Sequence, residues 1–130
     1  LTSPLTAGTT YVVSFWYSLS GYSCTSDRLG VVLNNVQVTV PSIYTTLPYT
    51  PQLELDDVPI NNAEWKLFSK CYVADGGEQY IVIGNFYPDA QTNFGTGCPP
   101  INGYTGSYLY IDDVSIQAAV PPDPIDLGDA

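Results

Sequence analysis

Hydrophobic and polar residues alternate along several short segments of the chain, which is the pattern of β-strands. Residues 11–19 are the clearest case, because one face would carry only large apolar or aromatic side chains, namely Tyr11, Val13, Phe15, Tyr17 and Leu19. Further strands are predicted at residues 29–33, 36–40, 65–73, 79–86 and 108–117. No window has a helical period with caps, so we expect an all-β antiparallel sandwich or barrel.

Turn-forming residues separate the predicted strands. Asn34-Asn35 and Asp75-Gly76-Gly77 are turn signals, and residues 41–62 and 88–104 are expected to be long surface loops. Residues 121–130 have the proline-rich composition of a linker. The pattern therefore predicts one domain over residues 1–120, followed by a linker.

Composition and charge exclude several classes of function. The 130 residues include three basic and thirteen acidic side chains, no histidine and a net charge of −10. Three basic residues are too few to neutralise the phosphates of a nucleic acid. We therefore expect the protein to bind neither nucleic acid nor an anionic membrane surface. The lack of histidine removes Ser-His-Asp and Cys-His nucleophiles and imidazole metal sites. No apolar stretch reaches the roughly 20 residues that span a bilayer, so no membrane insertion is expected.

The chain has three cysteines without a zinc-binding spacing. Cys24 and Cys98 lie among loop residues, and Cys71 lies within a predicted strand, where we expect a small buried side chain. A Cys24–Cys98 bridge would suit an oxidising, extracellular location. Three reduced and inert cysteines are the equally weighted alternative.

Five segments recur here in an order that is similar to a known family. They are residues 5–20 (LTAGTTYVVSFWYSLS), residues 27–30 (DRLG), Trp65, residues 74–86 (ADGGEQYIVIGNF) and residues 108–116 (YLYIDDVSI). Over residues 1–117 the chain resembles jelly-roll domains of the carbohydrate-binding-module type, found in large secreted surface proteins of gliding Bacteroidota. The YIDDVSI ending is also shared with the wider galactose-binding-like jelly rolls.

The resemblance carries further implications about the parent protein. Its first strands would precede Leu1 and be missing, so the chain looks like an N-terminally incomplete domain. Residues 124–129 resemble the opening of a following Ig-like repeat. Export by type IX secretion, a role in adhesion or gliding motility, and contact with outer-membrane anchoring machinery are implied by the same resemblance. Such modules often hold a structural Ca²⁺ with an aspartate of the YIDDVSI motif and residues of the first strands.

Trp16 is the most informative candidate for ligand binding. It is a large aromatic residue on the otherwise polar face of the first strand, and indole rings stack on the C–H faces of sugars. The alternative, which we favour, is that a second layer, a long loop or the missing first strands cover Trp16 as ordinary core. Trp65 is predicted to be core as well.

Tyrosines in predicted loops are further candidates, because each offers an apolar ring with a polar tip. The ligand-binding candidates among them are Tyr22, Tyr49, Tyr87 and Tyr104. Tyrosines within the predicted strands are expected to serve the sheet instead.

Acidic residues supply the remaining candidate chemistry. Asp112 and Asp113 are predicted metal ligands, one of them for Ca²⁺, and as neighbours in a strand they should point to opposite faces. They therefore should not act together as an acid/base pair. Glu54, Glu64, Glu78 and Asp89 follow no glycosidase pattern, so no catalysis is expected. The sequence favours a non-catalytic glycan-binding or adhesion module, with a structural spacer domain as the alternative.

Overall fold

A computed structural model describes residues 1–21, 23–40, 42, 45–60, 63–95 and 106–119. In this part of the chain the strands are β1 (Thr10–Leu19), β2 (Gly30–Asn34), β3 (Leu53–Glu54), β4 (Lys66–Val73), β5 (Tyr80–Gly84) and β6 (Leu109–Ala118). The helical content of these residues is a single 3₁₀ turn at Asp89–Gln91. The all-β prediction is confirmed. Among the described residues there is no helix with the length and apolar character needed to cross a membrane.

The strands form two antiparallel sheets. The first sheet has the order β4-β1-β6 and the second has the order β3-β2-β5. The aromatic face of β1 points inward, where Phe15 stacks on Phe68 of β4 with ring centroids 4.5 Å apart. Side chains from both sheets join one hydrophobic core, which includes Val13, Phe15, Tyr17, Leu19, Leu29, Val31, Leu33, Leu53, Phe68 and Tyr72. The arrangement is sandwich-like, because each sheet buries one face against the other.

One predicted strand does not form. Residues 36–40 have no strand structure, and Val36 is 64% exposed. β-branched residues favour a strand only where a partner edge is available, and both edges of β2 are already paired with β3 and β5. The partner β3 lies inside the predicted loop instead. The side chain of Gln52 accepts a hydrogen bond from the Leu33 N–H at 2.8 Å and donates one to the Leu33 carbonyl at 2.7 Å, which extends this pairing.

The turn between β4 and β5 is confirmed and is organised by a buried carboxylate. Gly76 and Gly77 have φ values of 109° and 88°, in the region that favours glycine. Glu78 accepts hydrogen bonds from the Tyr72 hydroxyl (2.5 Å) and from the N–H groups of Asp75 (2.9 Å) and Gly76 (2.6 Å). Burial by itself raises the pKa of Glu78, but these hydrogen bonds outweigh it and the net pKa is lowered. Burial and the same bond raise the pKa of Tyr72 to about 12.

The cysteines correct one prediction. Cys71 carries a free thiol and is exposed, because its side chain lies on the side of β4 that faces away from the core. Cys24 is buried and disulfide-bonded. Cys98, the partner considered for it, lies outside the described residues, as do the predicted linker at residues 121–130 and the Ig-like start.

A candidate sugar-binding face

The outer face of the first sheet, which is the side away from the core, carries the exposed tryptophan of β1. Trp16 alternates with the buried residues Phe15 and Tyr17 and is 39% exposed. Its direct neighbours across the sheet are Leu67 on β4 and Asp112 on β6. The favoured prediction that Trp16 is core is therefore wrong for the described residues, because they leave more than a third of Trp16 exposed.

Trp65 lies on the same face, held there by a hydrogen bond from the middle strand. Ser18 is buried on the outer face of β1, and its hydroxyl donates to the Ala63 carbonyl at 2.7 Å. This bond holds the segment that precedes β4 against the outer face of the first sheet. Trp65 is 49% exposed, so the prediction that it is core is also wrong. Strand alternation contains the signal, since Trp65 is out of phase with the inward-facing Phe68 and Tyr72.

Asp112 and Asp113 share this face because of a β-bulge. Ser14 pairs with Ser115 and Trp16 pairs with Asp112, so one residue of β1 is opposed by two residues of β6. Asp113 has φ = 54°, a left-handed conformation that aspartate tolerates, and its N–H donates to the Asp112 carboxylate at 2.8 Å. The prediction that the two side chains point to opposite faces is wrong, because the extra residue shifts the alternation.

These four residues line one shallow depression, which we call the tryptophan depression. It is lined by Trp16, Trp65, Asp112 and Asp113 and has a volume of about 230 Å³. The strand order β4-β1-β6 puts Trp65 on one side of Trp16 and the two carboxylates on the other. Indole rings offer apolar surfaces for stacking, and carboxylates accept hydrogen bonds from hydroxyl or ammonium groups. The depression can therefore hold a small polyhydroxylated ring.

The three basic side chains of the protein are all engaged elsewhere. Lys66 and Lys70 point to the inner side of β4 and form ion pairs with Asp57 (3.1 Å for Lys66) and Asp56. The hydrogen bond to Asp57 raises the pKa of Lys66. Arg28 lies 3.9 Å above the ring of Tyr87. The tryptophan depression consequently has acidic groups in its lining and no basic one.

Of the tyrosine candidates, the two that the structure describes, Tyr49 and Tyr87, do not line the tryptophan depression. Tyr87 lies beneath Arg28 and donates a hydrogen bond to Glu54 at 2.7 Å, a contact that raises the pKa of Tyr87. Its ring and hydroxyl are thus occupied by neighbours within the fold. Tyr49 is partly buried and belongs to the loop that connects β2 to β3. Tyr22 and Tyr104 lie outside the described residues. On the outer face, Tyr110 pairs with Ser18 and is 58% exposed, an aromatic residue that sequence analysis assigned only to the sheet.

Asp112 and Asp113 are the residues predicted to ligate a metal. Ca²⁺ takes six to eight oxygen ligands, and among the described residues no third acidic or cysteine side chain joins Asp112 and Asp113 to form a metal-binding group. Calcium binding stays a prediction.

Fold and site together define an all-β domain with two antiparallel sheets and an aromatic, acidic depression on the outer face of one of them. Comparison with protein-family models, curated proteins and solved structures finds no match to this chain. The resemblance to secreted jelly-roll domains of gliding Bacteroidota therefore stays a prediction.

Proposed function

We propose that this domain is a non-catalytic glycan-binding module of a large secreted or cell-surface protein, with a jelly-roll architecture and a role in adhesion. The observation that carries the proposal is the tryptophan depression, because two partly exposed indoles beside two carboxylates suit stacking on a sugar ring and hydrogen bonding to its hydroxyls. A disulfide at Cys24 supports an oxidising, extracellular location.

The arrangement of the carboxylates favours binding over hydrolysis. Glycosidases use two carboxyl groups on opposite sides of the scissile bond. Asp112 and Asp113 are adjacent on one strand and lie on the same side of Trp16. Glu78 is occupied in holding a turn, and Glu54 accepts from Tyr87. The competing role, a spacer domain without a ligand, gives no reason for the exposure of two large aromatic side chains on one face.

A glycan array tests the proposal. Trp16→Ala should lose at least about tenfold in affinity for whichever glycan the unmodified protein binds, which corresponds to about 1.4 kcal/mol. Tyr80→Ala is the matched control, because Tyr80 is similarly exposed (37%) but lies on the second sheet. A folded protein that binds no glycan, or equal losses in the two variants, would contradict the proposal.

A further inference from the structure

The tryptophan depression has a charge that restricts which sugars it can accept. Of its four lining residues, two are aspartates and none is basic. The three cations of the protein lie on the inner side of β4 or above Tyr87, in contacts with Asp57, Asp56 and the tyrosine ring. A sugar carboxylate or sulfate placed here would meet two like charges and no counter-ion.

A sugar that carries an ammonium group would instead be attracted by the two carboxylates of the depression. Asp112 and Asp113 are adjacent at the bulge and line the same depression as Trp16, so we expect both carboxylates to attract a cation on a ring stacked against the indole. The indole faces also attract cations, and tryptophan is the best of the aromatic side chains in this respect. Charge and ring chemistry thus point to the same ligand.

We infer that the tryptophan depression is selective for amino sugars with a free, protonated amine, as in β-linked glucosamine oligomers, over their N-acetylated and acidic counterparts. This inference rests on the proposed function and adds the class of sugar to it. The bulge is the specificity element, because without the extra residue Asp112 and Asp113 would lie on opposite faces and only one of them could reach the ligand.

Three trisaccharides of matched size test the selectivity by isothermal titration calorimetry: β-1,4-linked glucosamine, its fully N-acetylated form, and a uronic acid oligomer. At low salt we expect the glucosamine trisaccharide to bind at least about tenfold more tightly than the acetylated one. The preference should shrink as salt is added, since the carboxylates are solvent-exposed. The uronic acid oligomer should bind most weakly.

Charge-matched variants separate the site from the acidity of the whole protein. The double variant Asp112→Asn/Asp113→Asn should bring the affinity for glucosamine down to that for the acetylated sugar. Asp75→Asn/Asp89→Asn removes the same two charges from exposed positions outside the depression and should keep the preference.

The outcomes distinguish this inference from the proposed function. Equal or tighter binding of the acetylated trisaccharide, with binding still lost in Trp16→Ala, would overturn the selectivity and leave the glycan-binding role standing. If the two double variants lost the preference for glucosamine equally, the preference would come from the net charge of the protein, which would also overturn the inference. Failure of every sugar, including those on the array, would remove the proposed function and the inference together.

Discussion

Phe15 and Trp16 are neighbours on β1, yet they lie in opposite environments. Phe15 is fully buried and stacks on Phe68, whereas Trp16 is exposed beside two carboxylates. The carboxylates of the molecule divide in a similar way: Glu78 is buried and accepts three hydrogen bonds, while Asp112 and Asp113 face solvent. The difference teaches that the side chains on the inner side of the first sheet stabilise the fold, whereas Trp16, Asp112 and Asp113 on its outer face remain accessible for the binding role that we propose.

The largest effect is expected for removal of an inner aromatic residue. Phe15→Ala should cost about 3–5 kcal/mol in the free energy of unfolding, because it loses buried surface and leaves a cavity against Phe68. Trp16→Ala, the adjacent position, should cost about 1 kcal/mol or less. Urea unfolding followed by far-UV circular dichroism measures both. Similar losses in the two variants would mean that the two faces of β1 do not differ in this way.

The buried carboxylate gives the next largest effect. Glu78→Gln should destabilise the domain by about 1.5–3 kcal/mol, since an amide N–H₂ would face donors that a carboxylate now satisfies. Asp112→Asn is the comparison on the outer face and should stay within about 0.5 kcal/mol. Chemical denaturation at neutral pH provides the test, and a Glu78 variant as stable as the Asp112 variant would refute the role assigned to this carboxylate.

The pH dependence of stability follows from the same contacts. The pKa of Glu78 is lowered in the folded state, so its contribution is complete above the ordinary glutamate pKa and is lost as pH falls through the lowered value. The raised pKa of Tyr72, about 12, adds stability that is complete below the ordinary tyrosine pKa and lost as pH rises towards 12. Thermal melts across pH should show both losses. In Glu78→Gln the acid loss should be smaller, and an unchanged acid limb would argue against this assignment.

A smaller effect is expected where the middle strand holds Trp65. Ser18→Ala removes the hydrogen bond to the Ala63 carbonyl and should cost about 1 kcal/mol in stability. It should also weaken glycan binding, because the segment that carries Trp65 loses its fixed position. Ser14→Ala, on the same face but without a described side-chain bond, is the control. Binding that is unaffected by Ser18→Ala would show that Trp65 needs no such anchor.

The sequence predicts the strands better than it predicts the site, for physical reasons. Alternation identified β1, whose inner face is buried, and the same period along residues 65–73 contained the information that Trp65 and Cys71 point outward. The strand predicted at residues 36–40 does not form, because β propensity does not reveal whether a sheet edge is free to pair. The bulge at Asp113 could not be foreseen, since it depends on the register between two strands nearly a hundred residues apart.

Tryptophan fluorescence tests the central claim, that the outer face of the first sheet binds sugar, most directly. The chain has two tryptophans, and both line the depression, so their emission reports on this site alone. Titration with the glucosamine trisaccharide, or with the best ligand from the array, should shift and saturate the emission of the unmodified protein. Trp16→Ala, which keeps Trp65, should need at least about tenfold more sugar for the same change. Calorimetric binding of a glycan without any change in emission would place the site elsewhere and contradict the claim.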